Sequence, residues 1–311
     1  MRRLRVLHQL TELYGSLILP ADLVDVVEVV DVAGTSDALA RAEGDVLLTT
    51  RPRADSVPAG VRWIHLIGTG IDGVDLGRLG AGGRILTNSR GAAAIPISEW
   101  VLAMMLAFVK DLPESWISSP PPRWVPDFGL RSLHGEHLAL FGFGSIGTAV
   151  AERVRPFGMH VRALRRSDRA VGPGIELVSS LDVLVEGADH VVLAAPLTAE
   201  TRSVIGDDAF SDMKQGVHLV NVARGGLIEQ DALRRALDTG VVARASLDTV
   251  TPEPLPEGHW LYSHPRVKLS PHVSYNWPRS TETLLSSFFE NLRRFLRGGD
   301  LVNVLDADLG Y

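Results

Sequence analysis

Residues 137–147 have the sequence His137-Leu-Ala-Leu-Phe-Gly-Phe-Gly-Ser-Ile-Gly147, and this stretch decides the fold. An apolar run predicts a β-strand, and it leads into Gly-x-Gly-x-x-Gly and then into apolar residues at helical spacing. Gly142 permits the tight turn, Gly144 lets backbone approach a diphosphate, and Gly147 lets the helix pack close to the strand. The diphosphate would be bound by free N–H groups at the helix N-terminus. Glycines alone also fit an ordinary turn, but a strand before them and a helix after them predict a dinucleotide site.

Strand and helix patterns alternate from residue 137 onward. The predicted strands are near-continuous apolar runs, which are typical of a parallel sheet covered by helices on both faces. The pattern therefore predicts an α/β fold with a doubly wound, Rossmann-type domain. The predicted strands are 137–141, 159–164, 189–193, 217–221, 243–247 and 266–269, and the predicted helices are 145–157, 180–187, 207–213 and 229–239.

Residues 1 to about 95 predict a second, smaller α/β unit. A helix capped by Thr35 or Ser36 is expected to end at Gly44. The segment Gly68–Asp75 contains too much glycine for a helix and suits backbone that approaches a ligand, although a plain turn explains it equally well. The predicted strands of this unit are 45–50, 63–67 and 84–87.

Two helices are expected to join or cover these units. Pro96 opens an apolar helix over residues 97–110, which stops before Pro113. This helix is apolar nearly all round, so we expect it to be buried between domains or subunits. The last helix, over residues 279–297, is expected to pack back on the first unit.

The bulk composition excludes several classes of function. The 311 residues suffice for about two domains, and the net charge of −6 gives no reason to expect a nucleic-acid partner. The chain has no cysteine, which rules out disulfides, thiolate catalysis and cysteine-based metal sites. The basic N-terminus is followed by polar residues rather than a secretory apolar run, and no 18 apolar residues run together. We expect a soluble cytoplasmic protein with no metal and no membrane partner.

The strand expected at 159–164 ends in Arg165-Arg166-Ser167. NAD-binding folds usually place an acid about 20 residues after the glycine motif, where it holds the ribose 2′-hydroxyl. Here Arg165 stands 21 residues after Gly144, and Asp168 lies beyond both arginines. Two guanidinium groups and a hydroxyl suit a 2′-phosphate. The alternative is a solvated charge run, but the position in the fold favours NADP(H), with NAD(H) possible.

Three further stretches follow predicted strands, at the sheet edge where parallel sheets bind ligands. They contain one guanidinium, one carboxylate and one imidazole, which are the groups that reduction of a 2-keto acid needs. Arg224 could bind the substrate carboxylate and carbonyl, and His272 could protonate the carbonyl oxygen. Glu253 could orient the imidazole and stabilise its protonated form. Taken singly, each residue also fits a surface or turn position. The stretches are Asn221–Gly226, Leu247–Pro254 and Ser270–Val273.

These motifs together closely resemble the D-isomer-specific 2-hydroxyacid dehydrogenases. The resemblance runs from about Gly68 to Asn276 and is densest from Leu133 to Val273. Several of the family's signatures occur in order and at suitable spacing. The matching segments are Leu133-His-Gly, Gly142-Phe-Gly-Ser-Ile-Gly147, Ala195-Pro-Leu-Thr-Ala-Glu-Thr201, Val220-Asn-Val-Ala-Arg-Gly225, Leu247-Asp248 and Glu253-Pro-Leu-Pro256.

The resemblance implies a role for each matched position. Arg224, Glu253 and His272 would be the catalytic residues, and Thr69 and Gly70 would hold the substrate carboxylate together with Arg224 and His272. Asp248 would hold the nicotinamide amide. The cofactor would be bound by Gly142, Gly144, Ser145, Ile146, Gly147, Arg165, Arg166, Ser167, Pro196, Thr201, Val222, Ala223, Arg224, Asp248 and His272.

The resemblance also implies the organisation of the chain. Residues 1–95 and 279–311 would form a flavodoxin-like substrate domain, and residues 96–278 would form the cofactor domain. Family members usually dimerise through the cofactor domain, so a homodimer is expected. The segment Leu112–Leu130 and the first 60 or so residues depart from the family pattern. Trp100, Trp124, Tyr275 and Trp277 are candidate pocket walls, and the sequence does not distinguish among them.

The favoured function is an NADP(H)-preferring reductase of a small 2-keto acid, glyoxylate or hydroxypyruvate. An NAD(H)-linked phosphoglycerate-type enzyme is an alternative, although the chain shows no regulatory extension after Asn303. A formate or phosphite dehydrogenase is another alternative. Formate dehydrogenases resemble this family but have an amide side chain at the position of Glu253, so Glu253 speaks against this alternative. A non-catalytic, dinucleotide-sensing protein of the corepressor type is the alternative from a different class.

Overall fold

The computed structural model describes residues 2–119, 129–166 and 171–306. The chain divides into two compact units, which we call unit 1 (Met1–Ala93 with Trp277–Tyr311) and unit 2 (Ala94–Asn276). No helix in the described ranges is long and apolar enough to cross a membrane. The same residues contain no cluster of three or more His, Cys, Asp or Glu side chains suited to a metal ion.

Unit 1 begins with short parallel strands that alternate with helices. Its described strands form a five-stranded sheet in the order β2-β1-β3-β4-β5, which is the order of flavodoxin-like sheets. The predicted fold class is thereby confirmed for this unit, although β1 and β2 were not predicted from the sequence. The elements are β1 Leu4–His8, α1 Thr11–Tyr14, β2 Val27–Asp31, α2 Ser36–Ala40, β3 Val46–Thr49, β4 Trp63–Leu66, α3 Leu76–Gly80 and β5 Ile85–Asn88.

The capping residue of α2 is Thr35. Its hydroxyl accepts a hydrogen bond from the backbone N–H of Ala38 at 3.2 Å. The helix ends at Ala40 rather than at Gly44, so the predicted end was wrong. The reason lies in packing, because a Cβ atom on Gly44 would stand 2.6 Å from the Leu7 side chain. Gly44 therefore marks a close approach to β1 and not a helix end.

Unit 2 contains the seven-stranded parallel sheet of the described chain, in the order β12-β11-β10-β9-β6-β7-β8. Helices alternate with its strands, as the sequence predicts for a doubly wound fold. The edge strand β8 was missed. The elements are α4 Ala94–Val109, β6 His137–Phe141, α5 Ser145–Val154, β7 His160–Leu164, β8 Ile175–Val178, α6 Leu181–Val185, β9 His190–Leu193, α7 Asp207–Asp212, β10 Val217–Asn221, α8 Gln230–Thr239, β11 Val242–Leu247 and β12 Val267–Leu269.

The strand order of unit 2 reverses at β6. From β6 the chain builds β7 and β8 on one side, and then returns to build β9 to β12 on the other. Ligands of open parallel sheets bind outside the carboxyl ends of the strands at such a switch point. The glycine motif follows β6 directly, so it lies at this point of the sheet.

The apolar helix α4 is buried on one face only. It packs against α5 and β10 within unit 2. On the other side Ile95 is 50% exposed, so burial all round is not found within the described chain. The residues on the buried face are Ala94, Ile97, Ser98, Val101, Met105 and Val109.

The final helix, α9 (Ser280–Leu296), belongs to unit 1, as predicted. Phe288 is fully buried and stacks on the Trp63 ring, with ring centroids 5.3 Å apart. Leu284 and Leu292 join Val6 and Leu48 in the same apolar core. The C-terminal helix therefore completes the core of the N-terminal sheet.

A buried polar chain runs beside that core. Trp63 Nε1 donates to the Thr87 hydroxyl at 2.8 Å, and that oxygen lies 2.7 Å from His65 Nδ1. His65 Nε2 lies 3.1 Å from the Ser89 hydroxyl, which donates to the Leu284 carbonyl at 2.7 Å. These partners suit a neutral imidazole with its proton on Nε2. Burial lowers the pKa of His65 from its ordinary value to about 3.

Candidate active site

The three glycines after β6 differ in what surrounds them. A Cβ atom on Gly142 would stand 2.4 Å from the Ala195 nitrogen, and Gly142 has a φ of +100°. A Cβ atom on Gly147 would stand 2.4 Å from the Gly142 carbonyl oxygen. A Cβ atom on Gly144 would meet nothing within 4 Å. Gly142 and Gly147 are thus needed by the fold, whereas Gly144 borders open space of the kind a diphosphate needs.

The helix α5 begins at this open space. Its N-cap is Gly144, which has no side chain to occupy the free N–H groups of the first turn. Ser145 and Ile146 are the first helical residues, and the first turn contains no acidic side chain. Backbone N–H groups and the positive end of the helix dipole therefore remain for an anion. This arrangement fits the diphosphate of a dinucleotide.

The two arginines after β7 have different surroundings. Nε and Nη2 of Arg165 are buried and have no hydrogen-bond partner among the described residues. Arg166 is exposed and has partners of its own. A hydrogen bond from Thr198 lowers the pKa of Glu200, and the charge of Arg166 adds a smaller lowering. Buried donors without an acceptor are costly, and a 2′-phosphate would satisfy those of Arg165.

Ser167, which the sequence analysis adds to this phosphate site, lies outside the described residues. Asp168 and Trp124 also lie outside them. The fit to a 2′-phosphate therefore rests on Arg165.

The loop after β9 brings two predicted cofactor residues together. The Thr201 hydroxyl donates to the Pro196 carbonyl at 2.8 Å and accepts from the Thr198 N–H at 2.8 Å. These bonds close the loop at the carboxyl edge of the sheet, next to the strand that packs on Gly142. In the next loop Val222 and Ala223 are buried and continue the same edge.

His272 and Glu253 form a direct hydrogen bond. Nδ1 of His272 lies 2.9 Å from Oε2 of Glu253, and the other carboxylate oxygen accepts from the Val250 N–H at 3.0 Å. Both side chains are partly exposed, at 41% for His272 and 38% for Glu253. A carboxylate accepts and cannot donate, so the proton of the bond belongs to Nδ1. Nε2 of His272 is then the nitrogen left for a substrate.

The loop that carries Arg224 lies against the loop that carries Glu253. A Cβ atom on Gly225 would stand 2.0 Å from the Val250 carbonyl carbon, so only glycine allows this approach. Arg224 is partly buried and donates to the Ala223 carbonyl through Nη1 at 2.6 Å. A guanidinium and a carboxylate–imidazole pair are thereby brought to neighbouring loops at one edge of the sheet.

The described partners of the Asp248 carboxylate lie in the loop that carries His272. It is 1% exposed, and its carboxylate accepts from the Ser270 hydroxyl and from the N–H groups of Val273 and Ser274. Both oxygens therefore accept hydrogen bonds from the loop around His272, two at Oδ1 and one at Oδ2. Tyr275 follows on this loop, and its ring stands edge-on to the His272 ring at 6.1 Å between centroids.

The predicted substrate loop in unit 1 follows β4. The Thr69 carbonyl accepts a hydrogen bond from Nδ2 of Asn88 at 2.9 Å, and Gly70 is the next residue of the loop. Asn88 is 4% exposed and ends β5. Asn88 was not predicted from the sequence, where it shows only as a polar residue that closes an apolar strand at the carboxyl edge of the sheet.

The other aromatic residues proposed to line the substrate pocket, Trp100 and Trp277, belong to different units. Trp100 lies on α4 of unit 2, whereas Trp277 belongs to unit 1 and is 37% exposed. The Arg279 guanidinium lies over the Trp277 ring at 5.9 Å. Among these aromatic side chains, Tyr275 has a described contact with a candidate catalytic residue.

The sequence model for the D-isomer specific 2-hydroxyacid dehydrogenase, NAD binding domain, matches residues 102–274, which is more than half of the chain. The chain belongs to the D-isomer-specific 2-hydroxyacid dehydrogenase family. This confirms the resemblance found in the sequence, and the matched residues fall within unit 2. Membership assigns the chain to a family of oxidoreductases with an NAD-binding domain.

Relatives and solved structures agree with this membership. D-3-phosphoglycerate dehydrogenase 3, chloroplastic, of Arabidopsis thaliana is 38% identical over 246 residues, which are 78% of this chain and 42% of that protein. Hydroxypyruvate reductase of Thermotoga maritima is 33% identical over 239 residues, 74% of this chain and 78% of that one. The match thus spans less than half of the plant protein.

A solved reductase structure has the same fold. The NADPH-dependent glyoxylate/hydroxypyruvate reductase of Sinorhizobium meliloti, solved with NADP and sulfate, superposes with a TM-score of 0.81 at 22% identity. The superposition covers 99% of this chain and 100% of that one. The two-domain α/β fold predicted from the sequence is confirmed.

Proposed function

We propose that this chain is a D-specific 2-hydroxyacid dehydrogenase that acts as an NADP(H)-preferring reductase of a small 2-keto acid, glyoxylate or hydroxypyruvate. The observation that carries the proposal is the bond between His272 Nδ1 and Glu253 Oε2, 2.9 Å long, next to the loop of Arg224. This arrangement brings an imidazole and a guanidinium to neighbouring loops, and these are the groups that recognise a substrate with both a carbonyl and a carboxylate.

Each of the three side chains has a distinct task in this reaction. The planar guanidinium of Arg224 binds the carboxylate and polarises the carbonyl. The imidazolium of His272 donates its Nε2 proton to the carbonyl oxygen as that oxygen gains electron density. Glu253 keeps the proton on Nδ1 and offsets the positive charge of the imidazolium. In the direction of oxidation, His272 takes the proton back.

A bound nicotinamide dinucleotide supplies the hydride for reduction and accepts it in the reverse direction. Gly144 and the first turn of α5 would hold its diphosphate, and Pro196, Thr201, Val222 and Ala223 would lie along it. NADP(H) is favoured over NAD(H) by the buried Nε and Nη2 of Arg165, which have no acceptor among the described residues. Unit 2 would be the cofactor domain, and unit 1, with Thr69 and Gly70, the substrate domain.

The apolar outer face of α4 supports a homodimer. The helix is apolar nearly all round, yet only one face is buried in this chain, and Ile95 is 50% exposed. A second copy would remove that face from water. We place the protein in the cytoplasm, in agreement with a chain that has no cysteine.

The alternative functions have less support. A formate dehydrogenase needs no proton transfer, whereas Glu253 and His272 are hydrogen-bonded as a proton donor requires. A phosphoglycerate-type activity is suggested by the 38% identity to the plant protein, of which only 42% is matched. A dinucleotide-sensing protein would not need Arg224, Glu253 and His272 together.

The test measures initial rates with NADPH and NADH against glyoxylate, hydroxypyruvate, pyruvate, 3-phosphohydroxypyruvate and bulkier 2-keto acids. Turnover that favours NADPH and one or two small acids supports the proposal. A preference for the phosphorylated acid with NADH favours the phosphoglycerate-type activity instead. Tight NADPH binding without turnover favours the dinucleotide-sensing protein. In that case His272→Ala should leave the binding of a partner unchanged.

A further inference from the structure

A groove of about 530 Å³ lies at the amino edge of the sheet of unit 2. It is lined mainly by the first residues of β6, β7 and β8 and by the residue that follows α5. The glycine motif follows the carboxyl end of β6, so the length of that strand, about 16 Å, separates the motif from His137 at its start. The groove is therefore a different site from the candidate active site.

Two imidazoles line this groove side by side. His137 and His160 pair in register on neighbouring strands, and their rings stack with centroids 4.8 Å apart and planes inclined by 25°. Both side chains are exposed, and neither has a ring nitrogen hydrogen-bonded to a described residue. The ring nitrogens of this pair are therefore available to a ligand.

A guanidinium adds to the basic lining. Arg155 follows α5 directly, is exposed, and its side chain forms no hydrogen bond or ion pair with a described residue. A Cβ atom on Gly174 would stand 3.8 Å from Nε of Arg155, so the guanidinium lies along the backbone that leads into β8. At the C-cap of α5 its charge also offsets the negative end of the helix dipole.

The carboxylates near the groove already have cationic or imidazole partners. Glu176 lines the groove, Glu136 precedes His137, and the Asp189 carboxylate accepts from the His137 N–H at 2.9 Å. The positive charge of Arg155 is therefore not cancelled by these acids. The pairs are Glu176 with Arg162, Asp189 with Lys214 and Arg131, and Glu136 with Arg131 and His190.

The chemistry of the lining favours an anion over a metal ion. Imidazoles also bind metals, but the described residues contain no cluster of three or more His, Cys, Asp or Glu side chains suited to a metal ion. The guanidinium that joins the two imidazoles is a donor without a lone pair for a metal. Guanidinium and imidazolium groups both donate hydrogen bonds, and phosphate oxygens accept them strongly.

We propose that this groove is a second ligand site, which binds a small molecule that carries a diphosphate group. The groove is larger than a single phosphate needs, and its volume falls within the range of small-molecule sites, about 300–1,000 Å³. Arg155 and the pair His137 and His160 supply donors from separate elements, as two linked phosphates require. Met159 and Val161 are buried and add apolar surface to the lining. This site does not depend on the proposed reduction of a 2-keto acid.

Binding is expected to be stronger at pH 6 than at pH 8. Histidine side chains gain positive charge as the pH falls through this range, and a bound anion offsets the repulsion between two stacked imidazolium rings. The affinity is therefore greatest where the imidazoles are protonated and falls as the pH rises. The other charged or titratable groups around the pair are Arg155, Arg162, Glu176, Glu136, Asp189 and His134, whose ring lies against Gly158.

The experiment titrates inorganic diphosphate into the protein saturated with NADPH, by calorimetry at low ionic strength. Arg155→Gln should raise the Kd for diphosphate about tenfold, as expected for the loss of a charge-assisted hydrogen bond. The double variant His137→Gln/His160→Gln should raise it about tenfold at pH 6 and about twofold at pH 8. Because the probe's own ionisation is common to both proteins, the comparison with the wild type isolates the imidazoles.

Three controls separate this groove from other basic surface. Arg153→Gln removes a charge two residues from Arg155, whose Nη1 counterpart in Arg153 donates to the Ala149 carbonyl, and Arg153 does not line the groove. It should change the Kd less than twofold. Arg165→Gln, in the candidate cofactor site, should also leave the Kd for diphosphate unchanged. The thermal midpoint of Arg155→Gln measures its separate effect on α5.

ADP tests whether the ligand has an organic part. A Kd for ADP equal to that for inorganic diphosphate indicates recognition of the diphosphate alone, and a lower Kd indicates contact with Met159 and Val161. Either result supports the site, provided that Arg155→Gln weakens both ligands.

Several results would overturn the proposal. Diphosphate that does not bind at millimolar concentration, or that binds with the same Kd in the wild type, in Arg155→Gln and in the double variant, leaves the groove without this ligand. Loss of diphosphate binding in Arg165→Gln alone places it in the cofactor site. Binding of Zn²⁺ without diphosphate assigns the imidazole pair to a metal. A lower thermal midpoint in Arg155→Gln with an unchanged Kd restricts Arg155 to the helix end.

Discussion

Glu253 uses one carboxylate oxygen to accept from the Val250 N–H and the other to face Nδ1 of His272 at 2.9 Å. The carboxylate is thus fixed by backbone on one side and fixes the imidazole on the other. The loop that carries Arg224 packs against the same segment, so an acid, an imidazole and a guanidinium are brought to neighbouring loops.

Glu253→Gln should slow the reduction of the keto acid and lower the upper pH limit of activity. The amide offers one acceptor where the carboxylate uses two, and it no longer offsets the charge of the imidazolium, so the proton-donating form of His272 is less stabilised. The measurement is the pH profile of kcat/KM for glyoxylate with NADPH. Glu257→Gln is the matched control, because Glu257 is exposed and lies on the same segment. An unchanged profile in Glu253→Gln would remove Glu253 from the mechanism.

Arg165→Gln should weaken NADPH binding by about 10- to 100-fold and change NADH binding much less, as expected for a charge-assisted bond to the 2′-phosphate. Arg166→Gln should have a smaller effect, because Arg166 is exposed and already has partners. Binding is measured by fluorescence titration of both cofactors. Arg162→Gln is the control on the same strand, since Arg162 pairs with Glu176. Equal weakening of both cofactors by Arg165→Gln would disprove the phosphate site.

Gly144→Ala should leave the thermal midpoint nearly unchanged and weaken both NADPH and NADH. The new Cβ atom meets no protein atom within 4 Å, so it occupies only the space we assign to the diphosphate. Gly142→Ala is the contrasting variant, because its Cβ atom would stand 2.4 Å from the Ala195 nitrogen and the fold itself must shift. Calorimetry and cofactor titration on both variants measure the two effects. Unchanged cofactor affinity in Gly144→Ala would place the diphosphate elsewhere.

His65 should make the protein less stable as the pH falls below about 6.5. Its pKa is about 3 in the folded chain and near its ordinary value when unfolded, so the unfolded state binds more protons between these values. The free energy of unfolding then falls by up to about 1.4 kcal/mol for each pH unit below 6.5. Above that pH the contribution of His65 is constant.

Urea unfolding of the wild type and of His65→Gln at pH 8 and pH 5 measures this effect. The variant should be less stable at pH 8, because it disturbs the bonds to Thr87 and Ser89. Its loss of stability between the two pH values should be smaller than that of the wild type by about 2 kcal/mol. Equal losses in both proteins would show that His65 does not titrate on unfolding.

Much of unit 2 could be predicted because its central strands are continuous apolar runs. The edge strand β8 was missed because Glu176 interrupts its four residues, which leaves no continuous apolar run. In unit 1, β1 and β2 were missed because Arg5 and Glu28 interrupt short strands, and the two strands pair with each other at those very residues. The end of α2 was predicted wrongly because Gly44 looked like a helix-end signal, whereas it serves a close approach to Leu7 that no local pattern encodes.

The candidate site likewise has features that the sequence predicts and features that it does not. Arg224, Glu253 and His272 could be predicted, because each follows a strand and the carboxyl ends of parallel strands share one edge. That Arg165 is buried and Arg166 exposed could not be predicted. Both are arginines after the same strand, and only their surroundings in the fold distinguish them. The partners of Asp248 depend on how residues 270–274 fold around it, which no local pattern encodes.

The most direct test of the central claim compares NADPH oxidation by glyoxylate or hydroxypyruvate in the wild type and in His272→Gln. We predict turnover in the wild type and a loss of about 10²- to 10⁴-fold in kcat for the variant, with the Kd for NADPH nearly unchanged. An equal rate in the variant would contradict the assignment of His272 as proton donor. A wild type that binds NADPH but reduces neither acid would contradict the proposed function.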